Sequence, residues 1–289
     1  MSDQADKLRL LAGKEAEGEK RADGRLPLVT VSGARAGVGT TTVALNLAAV
    51  LADRGSQVLL VDAASHRADA DESIAARRDI EFGLEDIFAG KCGLQDAIVT
   101  GAGGLQMLLQ RRGVRGGLDA TRQAQERFMS SLRSLEERFE LIIVDAGRGL
   151  TTWSQRYWSQ GKLIVLVSTP DDEAVLDAYT AIKQSTANGD QLPVRLLVNQ
   201  ADSIAAAERA HRRIDKSCQR FLSCSVPALP ALLRYEATGG IARKPPRVWE
   251  MPNTPFGHAA LWLGRAVADL VEHEPRGKRG DASEWRVSA

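Results

Sequence analysis

The chain has 289 residues, of which 44% are hydrophobic and 26% charged, and its formal net charge at neutral pH is +1. These values are ordinary for a globular protein, and the near-neutral charge gives no support to a nucleic-acid or anionic-membrane partner. The three cysteines form no CxxC pair and the four histidines are scattered, which argues against a disulfide framework or a zinc site and predicts a cytoplasmic location.

The sequence predicts one domain flanked by two polar segments. Residues 1–25 form a polar arm with room for one short helix, and residues 274–289 form a polar tail. Residues 26–273 between them are predicted to be a single α/β domain. No apolar run has the length of a membrane span, and the tail shows no convincing membrane-targeting helix. Any membrane contact is therefore expected to be weak.

Apolar runs alternate with segments of helical spacing throughout this domain. The runs predict strands at 26–32, 57–62, 105–109, 141–145, 163–168 and 194–199. The helical patterns predict helices at 41–55, 121–138, 171–187, 203–222 and 256–272, the last of them packed on the sheet. This alternation is typical of a doubly wound, mostly parallel sheet with helices on both faces. Ligands of such sheets bind at the carboxyl ends of the strands.

A glycine-rich turn joins the first predicted strand to the first helix. Residues 32–42 read SGARAGVGTTT, and their small side chains allow backbone N–H groups to approach a phosphate at the helix N-terminus. The pattern predicts a phosphate-binding P-loop, although a turn of this composition can also bind nothing. The nucleotide-binding residues that it predicts are Arg35, Ala36, Gly37, Val38, Gly39, Thr40, Thr41 and Thr42.

The loop resembles the deviant P-loop of the MinD/ParA family, which has the form GKGGVGKTT. Arg35 takes the place of the family's extra signature lysine, and Thr40 takes the place of the P-loop lysine itself. A lysine–phosphate contact contributes roughly 1.5–3 kcal/mol, so its loss predicts binding weaker by about ten- to a hundredfold. The guanidinium of Arg35 has a different geometry and replaces only part of that charge. The resemblance therefore implies ATP and Mg²⁺ as cofactors that bind weakly or no longer bind.

The resemblance also assigns the residues around Mg²⁺ and the attacking water. Thr41 would ligate the metal, Asp62 follows the second predicted strand, and Asp145 ends the Walker B strand. Two residues after the first Asp the family has a second one that positions the water, whereas this chain has Ala64. Losing such a residue costs about 10²–10⁴ in rate, so no catalytic set is intact and a degenerate ATPase is expected.

Two of these positions have simpler explanations as well. Asn199 ends the strand predicted at 194–199, where the family's asparagine contacts adenine, but ordinary turn chemistry also favours asparagine there. Asp145 at a strand end could equally cap the next turn.

Several further segments are similar to the flagellar-number regulators called FlhG or FleN, a MinD-like branch of the family. They lie at 83–87, 94–98, 145–150, 168–183 and 221–222, so the resemblance extends over roughly residues 26–270. The stretch 168–183, which contains the sequence DAY, is more specific than the others.

The N-terminal arm carries the DQAxxLR motif of this branch. Its fixed positions are Asp3, Gln4, Ala5, Leu8 and Arg9. In the branch the motif activates the signal-recognition-type GTPase FlhF, which implies that GTPase as a partner. A short helix would dock through its apolar stripe, and the glutamine would orient the attacking water. An ordinary solvated amphipathic arm is the alternative.

Three functions follow from the sequence. The first is a degenerate MinD-like regulator of flagellar number or placement that stimulates FlhF and is recruited by a partner to the pole or membrane. The second is a slow ATPase that uses Arg35 and forms a nucleotide-dependent homodimer. The third is a MinD-like scaffold for pilus assembly, cellulose secretion or plasmid partition. Partition would require a basic DNA-binding face, which the charge balance does not support.

Overall fold

The computed structural model describes residues 26–64, 80–111, 121–186, 192–234 and 247–273. Its strands are β1 (Leu26–Gly33), β2 (Val58–Asp62), β3 (Ile98–Thr100), β4 (Gln106–Leu108), β5 (Leu141–Arg148), β6 (Gly161–Ser168) and β7 (Val194–Val198). They form one sheet in the order β3-β4-β2-β5-β1-β6-β7. β3 is antiparallel to β4, and every other neighbouring pair is parallel. This is the mostly parallel, doubly wound sheet that the sequence predicts.

Helices lie on both faces of the sheet. They are α1 (Thr40–Asp53), α2 (Leu84–Phe88), α3 (Arg122–Arg133), α4 (Thr152–Gln160), α5 (Asp172–Thr186), α6 (Ile204–Leu222) and α7 (Pro255–His273). Serine and threonine hydroxyls cap several of them: Thr121 accepts a hydrogen bond from the Ala124 N–H, and Ser203 accepts one from the Ala206 N–H. Such caps satisfy first-turn N–H groups that have no partner within the helix.

The core has two layers because strand side chains alternate between the two faces. In β1, Leu28 belongs to the cluster that contains residues of α3 and α4, whereas Val29 and Val31 belong to the cluster that contains α1 and α7. The same alternation occurs in β5, where Ile142 and Ile143 join different clusters. All five of these side chains are fully buried, as expected for a central strand covered on both faces.

The observed elements differ from the predicted ones at four places, and the first is the short helix α2, which the sequence analysis does not predict. α3 ends at Arg133 instead of continuing to residue 138, because the chain turns there through hydrogen bonds between residues three apart. α4 is absent from the prediction because its buried side chains are aromatic, Trp153, Tyr157 and Trp158, in an otherwise polar segment. The short antiparallel edge strand β3 is absent as well, since only three residues form it and none is fully buried.

The last helix, α7, packs against α1, the helix that follows the glycine-rich loop. Leu263 and Val267 are fully buried between this helix and the sheet, as the helical spacing predicts. The Asn46 side chain of α1 accepts a hydrogen bond of 2.6 Å from the Val248 N–H and donates one to the Thr42 carbonyl. None of the described helices combines the length and apolar character needed to cross a membrane.

Candidate functional site: the glycine-rich loop at the carboxyl end of the sheet

The loop between β1 and α1 has a backbone that requires glycine at several positions. Gly37 and Gly39 have φ values of 83° and 88°, in the left-handed region that other residues avoid. A Cβ atom on Gly33 would lie 2.2 Å from the Thr40 hydroxyl oxygen. Because Gly39 is the N-cap of α1, no side chain covers the first N–H groups of the helix from that position. The loop therefore has the shape that suits a phosphate.

Thr40, which replaces the family's lysine, turns its side chain inward. It is buried, and its hydroxyl lies against the Gly33 backbone at the end of β1. A threonine has neither the length nor the positive charge with which lysine contacts a phosphate. The structure thus provides the loop backbone of a P-loop without its usual ammonium group.

The three predicted metal ligands lie on neighbouring elements: Thr41 in the first turn of α1, Asp62 at the end of β2, and Asp145 three residues before the end of β5. The Thr41 hydroxyl donates a 2.6 Å hydrogen bond to the Asp145 carboxylate, whose other oxygen accepts one of 3.0 Å from the Gly147 N–H. Asp62 is the register partner of Asp145 on the adjacent strand, and both side chains are buried. A hydroxyl and two carboxylates are the hard oxygen ligands that Mg²⁺ prefers. The residues present therefore fit the metal, and their role in binding it stays a prediction.

The end of β7 holds the loop from the other side. The Asn199 amide donates a 2.8 Å hydrogen bond to the Val38 carbonyl, and the Gln200 amide donates one of 3.0 Å to the Gly37 carbonyl. Gln200 adopts a left-handed backbone, with φ of 55°. Asn199 thus supports the loop directly, and the predicted adenine contact stays a prediction.

A third side-chain amide, that of Gln110, fixes the chain beside Ala64, and the sequence analysis does not predict it. Gln110 is buried and donates to the carbonyl oxygens of Asp62 and Ala64, at 2.9 and 2.7 Å. The next residue, Arg111, contacts the carboxylates of Glu85 at 2.8 Å and of Asp86 at 2.9 Å. No sequence signal marks Gln110, because its partners are backbone atoms 46 and 48 positions away.

Asp86 and Arg111 are both in their charged forms in this network. A hydrogen bond from the Gly83 N–H is the main cause that lowers the pKa of Asp86, and Lys91 and Arg111 add to it. The hydrogen bond to Glu85 raises the pKa of Arg111. The network therefore anchors the segment that presents Gln110 to the end of β2.

Arg35 is the only basic residue of the loop, and its side chain contacts three carboxylates that follow β6. It donates a short hydrogen bond to Glu173, and its guanidinium nitrogens lie 3.7 Å from the Asp171 carboxylate and 3.8 Å from that of Asp177. The hydrogen bond to Glu173 is the main cause of the raised pKa of Arg35. The sequence predicted Arg35 as a nucleotide-binding residue, and it did not predict these partners.

Some predicted positions cannot be placed. The arm motif, Asp3, Gln4, Ala5, Leu8 and Arg9, lies outside the described residues, as does the tail 274–289. Among the residues that the structure describes, no group of three or more His, Cys, Asp or Glu side chains has the arrangement of a metal site. The metal set predicted at the loop contains only two such residues beside Thr41.

A parallel sheet with a glycine-rich loop at the carboxyl end of its central strand defines a P-loop protein, and this one has the fold of MinD. The chain belongs to the AAA domain family, whose model matches residues 27–175, more than half of its length. The septum site-determining protein MinD of Pyrococcus horikoshii, solved with Mg-ADP, has the same fold, with a TM-score of 0.67 and 22% identity over 86% of this chain and 98% of that one.

Relatives also match at the level of sequence, and two of them are FleN and YlxH. The antiactivator FleN of Pseudomonas aeruginosa is 25% identical over 250 residues, which cover 86% of this chain and 87% of FleN. The flagellum site-determining protein YlxH of Helicobacter pylori is 28% identical over 178 residues, which cover 58% of this chain and 57% of YlxH. The match to FleN therefore extends well beyond the segment that the family model covers.

Proposed function

We propose that this chain is a MinD-like regulator of flagellar number or placement. The observation that carries the proposal is the similarity to FleN along most of both chains, together with the similarity to a flagellum site-determining protein. The segments 83–87, 94–98, 145–150, 168–183 and 221–222 resemble the same branch. In the cell the protein acts in the cytoplasm and is recruited to the pole or membrane by a partner.

In this proposal the N-terminal arm is the part of the protein that acts on the partner. The DQAxxLR motif at Asp3–Arg9 binds an FlhF-type GTPase of the signal-recognition class and stimulates its GTP hydrolysis. Ala5 and Leu8 dock on the GTPase, and Gln4 orients the water that attacks the γ-phosphate, as glutamine does in other GTPases. This function requires no nucleotide hydrolysis by the chain itself.

The P-loop is degenerate in the same proposal. Thr40 stands where the family has its P-loop lysine, and Ala64 stands where it has the water-positioning aspartate. The carboxylates after β6 pair with Arg35, the remaining cation of the loop. Thr41, Asp62 and Asp145 would hold Mg²⁺, and the loop backbone and Asn199 would hold a nucleotide. When bound, the metal neutralises phosphate charge. We expect ATP and Mg²⁺ to act, where they bind, as weak structural ligands.

The proposal is tested by measuring GTP turnover of purified FlhF with the full-length chain. Addition of the wild-type chain is expected to raise turnover at least tenfold, because orienting the attacking water is worth about 10²–10⁴ in rate. Gln4→Ala is expected to abolish the increase. Asp6→Ala is the matched control, since it changes a variable position of the same motif. If Gln4→Ala stimulates as well as wild type, the proposal fails.

A second candidate, a slow ATPase that forms an ATP-dependent homodimer, is favoured by one observation. The Thr41–Asp145 pair at the predicted metal position is intact. This candidate uses Arg35 as its phosphate cation, so it predicts a rise in molar mass with Mg-ATP that disappears in Arg35→Ala. Light scattering combined with calorimetry at millimolar ATP tests it, and absence of binding rules it out.

A further inference from the structure

The end of β5 contains an irregularity that changes the direction of its last side chain. Val31 of β1 pairs with Asp145 of β5. Two residues further along β1, Gly33 pairs with Arg148, which lies three residues after Asp145. β5 therefore has one residue more than β1 over this stretch, and Gly147 within it has a left-handed backbone with φ of 67°. An extra residue beside a left-handed glycine is typical of a β-bulge, a feature that re-aims side chains next to binding sites.

The bulge decides on which face of the sheet Arg148 lies. Residues that are paired in register on neighbouring strands share a face. A Cβ atom on Gly33 would point at the Thr40 hydroxyl, 2.2 Å away, on the face that α1 covers. Arg148 therefore lies on this face, which is also where Asp145 accepts the hydrogen bond from Thr41. In a strand without the bulge, a residue three positions after Asp145 would lie on the opposite face.

The backbone around Arg148 is fixed, whereas its side chain is exposed. The Gly149 N–H donates a 2.8 Å hydrogen bond to the Gly33 carbonyl, which ties the residue after Arg148 to the start of the glycine-rich loop. The Gly147 N–H donates one of 3.0 Å to the Asp145 carboxylate. No hydrogen bond or ion pair joins the Arg148 guanidinium to another residue of the described ranges. Arg148 is thus a cation beside the loop that a ligand can use.

We propose that Arg148 binds the terminal phosphate of a nucleoside triphosphate and supplies part of the positive charge that Thr40 lacks. The backbone of a P-loop suits the inner phosphates, and Thr41 and Asp145 stand at the predicted position of a metal that bridges the last two. Arg148 follows Asp145 on the same face, so we assign the outermost phosphate to it. Its planar fork of N–H donors matches phosphate oxygens. The inference rests on the nucleotide binding that the proposed function gives to the loop.

Calorimetry of the full-length chain measures the dissociation constants of Mg-ATP and Mg-ADP for wild type and for Arg148→Gln. The variant is expected to bind Mg-ATP about tenfold more weakly, because it loses one charge-assisted hydrogen bond, and Mg-ADP less than about twofold more weakly. Arg148→Lys keeps the charge without the planar fork, so its loss for Mg-ATP is expected to be intermediate. Thermal unfolding confirms that each variant is folded.

Arg127→Gln is the matched control. Arg127 is also an exposed arginine, but it lies on α3, which packs on the other face of the sheet from α1, so both dissociation constants should stay unchanged. Equal Mg-ATP affinity of wild type and Arg148→Gln overturns the proposal. Equal losses for Mg-ATP and Mg-ADP, a loss in Arg148→Lys as large as in Arg148→Gln, or no binding of Mg-ATP by wild type overturn it too.

FlhF stimulation is measured separately with the same variants. It depends on the N-terminal arm in the proposed function, so Arg148→Gln is expected to stimulate as well as wild type. Loss of stimulation by Gln4→Ala with unchanged nucleotide affinity in Arg148→Gln would contradict this inference alone. The reverse pair of results would contradict the proposed function alone.

Discussion

The two halves of the glycine-rich loop are held in different ways. Two buried groups hold the second half: Asn199 donates to the Val38 carbonyl, and Asp145 accepts from Thr41, while the more exposed Gln200 donates to the Gly37 carbonyl. An exposed ion cluster on α5 holds the first half, which contains Arg35. Buried hydrogen bonds are expensive to break, whereas exposed ion pairs contribute little. Buried hydrogen bonds therefore preserve the shape of a phosphate site, whereas the one cation of the loop, Arg35, is held by exposed ion pairs.

The largest expected effect concerns the second half. Gly39→Ala forces a left-handed alanine and places its Cβ 2.4 Å from the Asn199 amide nitrogen. We expect the free energy of unfolding to fall by roughly 2–4 kcal/mol, from backbone strain and the displaced hydrogen bond. Urea denaturation measures the change. Gly55→Ala is the matched control, because Gly55 has φ of 95° with no atom within 4 Å of the added Cβ, and about 1 kcal/mol is expected there.

The missing charge can be restored at Thr40. Thr40→Lys is expected to tighten Mg-ATP binding by about ten- to a hundredfold, since a lysine–phosphate contact is worth roughly 1.5–3 kcal/mol. Thr40→Met supplies a long side chain without charge and should give no gain. Calorimetry measures both variants. Equal affinities for the lysine and methionine variants would show that the loop no longer presents phosphate to this position.

Asn199 and Gln200, which follow β7, should differ in how much they contribute to the free energy of unfolding. Asn199→Ala leaves the buried Val38 carbonyl without its donor and is expected to cost about 1–2 kcal/mol of unfolding free energy. Gln200→Ala removes a hydrogen bond at an exposed position and should cost less than about 1 kcal/mol. Parallel urea titrations compare them. A larger loss for Gln200→Ala would contradict the division into buried and exposed supports.

The smallest effect is a pH dependence at Asp171, one of the three carboxylates beside Arg35. The hydrogen bond from Thr169 is the main cause that lowers the pKa of Asp171. A lowered pKa contributes stability that is complete above the ordinary carboxylate value of about 3.9 and is lost as the pH falls through the lowered pKa. Asp171→Asn should therefore reduce the unfolding free energy at pH 7, by less than about 1 kcal/mol because the side chain is half exposed, and the difference should shrink below pH 4. A difference that grows on acidification would have the wrong sign.

Much of the fold could be predicted from local pattern. Each of the six predicted strands coincides with an observed one, because central parallel strands are buried on both faces and their sequences are continuously apolar. The strand β3 and the helices α2 and α4 could not be found in this way. β3 is a short edge strand, α2 has only five residues, and α4 is buried through Trp153 and Tyr157 in a polar segment.

The site was less predictable than the sheet. The loop itself is recognisable from glycine spacing, and Thr41 and Asp145 meet as the family pattern implies. Gln110 and the carboxylates that contact Arg35 could not be found, since their contacts join segments at least 46 positions apart and depend on packing of whole elements. Residue type alone says nothing about which carboxylate an exposed arginine will meet.

The buried hydrogen bond between Asn46 and Val248 has a consequence for cooperativity. It ties the helix that begins at the loop to the segment that leads into α7, 202 positions later in the chain. Segments that share buried contacts open together, with a common free energy of local unfolding. Hydrogen exchange should therefore report the amides of α1 and α7 as one protected unit. A substitution that destabilises either helix should then lower the protection of both.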